Sequence, residues 1–104
     1  MDTTTERFAV DVVQASHERP ILVDFWAPWC GPCRIATPII ERVCQRAGDK
    51  AKIFKINVDN NQELAIRYGI TGIPTVIIFK NGKAEKTFVG VQEEPAYFDA
   101  LGLN

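Results

Sequence analysis

Cys30-Gly31-Pro32-Cys33 places two thiols three residues apart, a spacing that serves either dithiol chemistry or metal ligation. If Cys30 caps a helix that begins at Gly31, Pro32 falls in the first turn, where its missing N–H costs little. Cys33 is then the third helical residue. Its backbone N–H and the positive end of the helix dipole point at the sulfur of Cys30. A thiolate is favoured there, so Cys30 is expected to ionise below the free-cysteine value of roughly 8.5. Cys33, one turn behind, can attack a mixed disulfide formed on Cys30, which gives a two-step exchange with Cys30 as nucleophile and Cys33 as resolving thiol. Gly31 and Pro32 bring no charge and no large side chain, so a partner's sulfur can approach. Metal ligation needs two more ligands in reach. Cys44 lies eleven residues beyond Cys33, roughly 16 Å along a helix axis, and His17, the only histidine, is upstream. No metal site is assigned.

Two further residues could take part. Asp24 interrupts the apolar run Ile21-Leu22-Val23-Asp24-Phe25-Trp26-Ala27, six residues before Cys30. On the exposed face of an edge strand it would be an ordinary polar residue. Among Leu22, Val23, Phe25 and Trp26 it is costly to ionise, its pKa rises towards neutrality, and it becomes a candidate to accept and return the proton of Cys33 through a water. Lys55, flanked by Phe54 and Ile56 on the next strand, is either the charge partner of Asp24 or a lysine whose stem lies along the surface. Cys44 reads as a small apolar residue on a buried helix face, with a regulatory or dimer-forming thiol as the alternative. Trp26 reads as core or as a wall of the site, and His17 as a surface residue.

The elements that must position these residues follow from periodicity. Phe8, Val12, Val13 and Ser16 recur at helical spacing within residues 6–17. The run 21–27 suits a strand covered on both faces. Ile35, Ile39, Ile40, Val43 and Ala47 mark a helix stopped by Gly48, with Pro38 expected to bend it. Residues 53–58 form a second strand, and the intervening helix makes a right-handed βαβ unit with parallel strands. A short helix over 62–68 leads to a strand at 75–79. Asn81-Gly82 then turns the chain into an antiparallel strand through Val89. Pro95 opens a last helix that buries Tyr97, Phe98 and Leu101. The result is an α/β fold: βαβ plus ββα on one mixed sheet, with helices on both faces. Proline before a strand usually follows a trans bond, so spacing alone does not make Ile73-Pro74 cis.

The 104 residues, 46% hydrophobic and 24% charged, read as one soluble domain spanning 1–104. A net charge of −1 excludes a strong electrostatic preference for nucleic acid or anionic lipid. The longest apolar runs fall far short of the roughly 20 residues that cross a bilayer. The opening Met-Asp-Thr-Thr-Thr-Glu has neither a basic nor an apolar leader region. A cytoplasmic chain is the expectation, although a leader cleaved earlier would leave the same text.

Trp29-Cys30-Gly31-Pro32-Cys33 after Val23-Asp24-Phe25-Trp26-Ala27, then Gly72-Ile73-Pro74-Thr75, then Phe79-Lys80-Asn81-Gly82, resemble the thioredoxin family, in order, from about Phe8 to Gly90. The resemblance implies a thioredoxin fold and a general protein disulfide reductase. It implies that Pro74 is cis and faces the cysteines. Trp29, Gly31, Pro32, Ile73, Pro74 and Gly90 would form a flat apolar patch for client polypeptides, with the Ile73 backbone pairing an extended client segment. It also implies that a thioredoxin reductase restores the dithiol, with NADPH and flavin belonging to that partner and no cofactor bound here. The chain would act as a monomer. Two features depart from the family pattern: the polar start suggests a truncated first strand, and the poorly matching tail leaves the length of the last helix open. Two rivals remain at this point. One is an oxidant or isomerase on the same fold; the other is a partner-stabilising subunit whose thiols are incidental.

Overall fold

The run Ile21–Trp26 is apolar almost throughout because its alternate side chains enter two different layers. In the computed structural model, which describes residues 1–103, this run is β1. It pairs in parallel with β2 (Lys52–Asn57) and antiparallel with β3 (Thr75–Lys80). β4 (Lys83–Val89) completes a sheet of order β2-β1-β3-β4. α1 (Gly31–Ala47) makes the parallel crossover, while α2 (Gln62–Arg67) and α3 (Glu94–Leu101) follow β2 and β4. Leu22, Val76 and Ile78 pack with Ile40 and Val43 of α1 and with Tyr97 and Leu101 of α3. On the opposite face Val23, Phe25, Ile77 and Phe79 pack with Phe8, Val12 and Leu64. This is the expected βαβ plus ββα arrangement, an α/β sheet clothed on both sides. Asn104, the end of the expected domain, lies outside the described residues.

The first helical segment differs from its sequence reading. Ala9–Gln14 winds as a π-helix and Ala15–His17 as a 3-10 turn. Phe8, Val12 and Ser16 are the buried positions, a four-residue recurrence that an α-helix and the wider π winding both carry on one face, so the spacing does not tell them apart. The polar start is not a full strand. It lies along β2, where Lys55 donates its N–H to the Met1 carbonyl (2.7 Å) and accepts from Thr3 N–H (3.0 Å).

α1 continues through Pro38 to Ala47, and Gly48 caps it. Its inward stripe is Cys33, Ala36, Ile40, Val43 and Ala47. That stripe corrects two expectations: Ile35 points outward, and Cys44 is exposed rather than on the buried face. Cys33 and Ala36 take the inward positions of the first turns, which rotates both residues out. At the β3–β4 turn Asn81 and Gly82 have φ of 54° and 82°, the left-handed pair that a tight hairpin needs. Ser16 anchors this turn: its carbonyl accepts from Asn81 N–H and its hydroxyl oxygen from Gly82 N–H.

Candidate active site

Cys30 adopts an extended conformation at the N-cap of α1, with Pro32 in the first turn. The backbone N–H of Cys33 donates to Cys30 Sγ at 3.1 Å. The two cysteines are joined as a disulfide, their Cα atoms 5.3 Å apart. Both side chains are buried, although Trp29, Gly31 and Pro32 around them are exposed. Apart from its chain neighbours and its own helix backbone, nothing lies within 4 Å of the place a Gly31 Cβ would occupy, so the space is open on that side. On the other side the Ile73 carbonyl oxygen lies 3.7 Å from Cys30 Sγ. The Ile73-Pro74 bond is cis, a geometry that spacing did not indicate and the family resemblance did. Pro74 is buried beneath the surface that Ile73 presents, and its carbonyl accepts from Gly90 N–H at 2.8 Å. Gly90 holds φ of 88° there, a conformation that favours glycine.

Beside the cysteines lies a groove of about 430 Å³, lined by Trp29, Val58, Ile70, Thr71, Gly72 and Ile73 among others. Sequence reasoning found Trp29 and Ile73 but missed the rest of this wall. It also missed Asp59, whose carboxylate accepts from the Trp29 indole N–H at 3.1 Å to each oxygen. Thirty residues separate the two, and only the placement of Asp59 just past β2, at the sheet end that carries Cys30, hinted at it.

Asp24 lies behind this surface, 1% exposed, with its side chain on the α1 and α3 face of the sheet. Its Oδ1 has no hydrogen-bond partner. Burial pushes its carboxyl up to about 6, against the opposing pull of the Lys55 ammonium. Lys55 is the register partner of Asp24 on β2, so both side chains leave the sheet on one face. The Lys55 Nζ lies 4.5 Å from the centre of the Trp26 ring. Trp26 in turn packs against the small cluster of Ala27, Cys30 and Cys33. The structure thus brings Cys30, Cys33, Trp29, Gly31, Pro32, Ile73, Pro74 and Gly90 to one end of the molecule, with Asp24 and Lys55 one layer in. Among the described residues no group of three or more His, Cys, Asp or Glu side chains is arranged to hold a metal ion.

A dithiol at a helix N-cap, facing a cis-proline turn on a four-stranded mixed sheet, defines a dithiol–disulfide oxidoreductase. The thioredoxin family model matches residues 1–101. A thioredoxin of Rickettsia bellii is 41% identical over 99% of this chain and 96% of its own length. Thioredoxin 1 of Synechococcus elongatus is 46% identical over 84% of this chain and 79% of its own, and a thioredoxin of Bacillus subtilis 49% identical over 78% of each. The chain belongs to the thioredoxin family, and its chemistry is dithiol–disulfide reduction through Cys30 and Cys33.

Proposed function

We propose that this chain is a general reductant of protein disulfides, with residues 1–104 acting as one monomeric domain. The observation that carries the reading is the Cys33 N–H donated to Cys30 Sγ at the start of α1. In the reduced protein the same amide and helix dipole favour a Cys30 thiolate. That thiolate attacks a client disulfide, one client sulfur leaves as a thiol, and a Cys30–client mixed disulfide forms. Cys33, its proton taken by Asp24 through a water, attacks Cys30 Sγ and expels the second client sulfur. Two electrons pass to the client, and the Cys30–Cys33 disulfide remains.

The groove along Trp29 and Ile73, with Gly31, Pro32, Pro74 and Gly90 around the cysteines, suits an extended client segment that adds to the Ile73 backbone. Lys55 tunes Asp24 through space and does not contact the reacting sulfurs. A thioredoxin reductase, carrying the NADPH and flavin chemistry, returns the disulfide to the dithiol. A cytoplasmic location fits, because a dithiol reductant needs a compartment that keeps thiols reduced. Among the described residues no helix is long and apolar enough to cross a membrane.

Equilibration with glutathione tests the direction of the reaction. We expect a midpoint near the family's reference value of about −270 mV. A midpoint between about −120 and −180 mV would instead mark an oxidant or isomerase.

A further inference from the structure

Trp29 is 69% exposed, so packing alone does little to hold its ring beside the groove. Its indole N–H is held by Asp59, and Asp59 belongs to the short 3-10 turn Val58–Asn60. Asn57 caps that turn, its Oδ1 accepting from Asp59 N–H at 3.0 Å. The Asn57 carbonyl accepts from Asn61 Nδ2 at 2.9 Å. Asn61 Oδ1 accepts from Thr5 N–H (2.8 Å) and from the Thr5 hydroxyl (3.2 Å). Asn61 is 6% exposed, the one buried side-chain amide of the chain among the described residues. It joins three separate segments: the N-terminal stretch, the end of β2 and the start of α2.

We propose that Asn61 is a positioning residue which, through Asn57 and Asp59, sets the orientation of the Trp29 indole at the client groove. A buried amide with partners on both its oxygen and its nitrogen has one favoured placement. The turn between it and Asp59 spans three residues and has little slack. A displaced Asn61 therefore displaces Asp59, and the exposed indole loses the carboxylate that holds its N–H. The proposal rests on the reading of that groove as the client site. With the ring released, only a fraction of molecules present it in the competent orientation, and apparent client affinity falls by that fraction. The sulfurs are held separately by the start of α1, so the chemical step keeps its rate.

Two substitutions test this in the full chain. Asn61→Ala removes the buried amide, and Asn57→Ala removes the acceptor for Asp59 N–H. Asn57→Ser, which keeps a capping oxygen, is the conservative control. The readouts are the 1H–15N signal of the Trp29 indole, assigned with Trp29→Phe, and KM and kcat for reduction of a disulfide-containing protein. We expect both alanine variants to move the indole signal towards that of free indole and to raise KM about three- to tenfold at unchanged kcat. Asn57→Ser should restore both. Should Asn61→Ala fail to fold, Asn61→Asp, which keeps an oxygen for Thr5 but loses the Nδ2 donation to the Asn57 carbonyl, decides in its place by the same two readouts. An unmoved indole signal, with lowered thermal stability as the only change, overturns the proposal. A moved signal with unchanged KM would leave the network standing and overturn the client-groove reading of Trp29.

Discussion

Serine in place of Cys30 is expected to cut turnover of a disulfide-containing protein to the uncatalysed background, a loss of at least about a thousandfold. A hydroxyl remains protonated at neutral pH even where the Cys33 amide would stabilise an anion. Cys33→Ser is expected to lose turnover as completely, by a different route. Its Cys30 still attacks, but nothing resolves the product, so one client per chain is trapped as a mixed disulfide. The asymmetry comes from α1. Cys30 precedes the helix beside exposed Trp29, Gly31 and Pro32, while Cys33 lies on the inward stripe with Ala36 and Ile40. Mass spectrometry without reductant should find the client adduct in the Cys33 variant and not in the Cys30 variant. Equal turnover by wild type and both variants would end the enzyme reading and return the incidental-thiol alternative.

Asp24→Asn is expected to stabilise the protein and slow it. The folded chain raises the Asp24 carboxyl from 3.8 to about 6, first through burial, with Lys55 opposing. A raised acid favours the protonated form in the folded state. That contribution is fully present below pH 3.8 and is lost as pH rises through about 6. Over this window the carboxyl costs the fold about 3 kcal/mol. Asparagine carries no such charge, yet it also leaves polar atoms poorly partnered. The expected gain in urea stability is therefore about 2 kcal/mol at pH 7.5, shrinking towards zero near pH 4. An equal gain at both pH values would assign the effect to packing. For the reaction, asparagine cannot take the Cys33 proton. Resolution of a preformed mixed disulfide should slow about tenfold or more at pH 7. It should also lose the rise through pH 6 that is expected of wild type. Lys55→Met, by removing the opposing cation, should move that rise to higher pH. Identical profiles for wild type and Asp24→Asn between pH 6 and 9 would remove the proton-carrying role.

The parts of this molecule that were legible in its sequence are those where one chemical demand dominates. A short apolar run bounded by Pro20 and Pro28 favours a strand covered on both faces, and Asn81-Gly82 favours a tight turn. Asp24 inside such a run leaves an exposed edge position and a buried one open, and the central place of β1 between β2 and β3 decides for burial. The α1 stripe is not legible because Ile35 is a stronger hydrophobic signal than Cys33 or Ala36, yet the helix turns the small residues inward. The winding of Ala9–Gln14 was hidden because four-residue spacing falls near enough to the α-helical period to imitate it. The Trp29–Asp59 pair and the Asn61 links are invisible in the chain because they join segments 30 and 56 residues apart. No local propensity encodes such distances.

Bonding Cys30 to Cys33 closes a ring of only four residues within a single helical turn. So small a ring restrains the denatured chain by about 2 kcal/mol in chain-entropy terms, and it ties together no two elements of the sheet. Both hydrophobic layers are assembled from residues elsewhere in the chain. Electrons can therefore enter and leave without the architecture being rebuilt. The molecule behaves as a rechargeable carrier with a rigid casing, and its working cycle is confined to one pair of atoms at the rim.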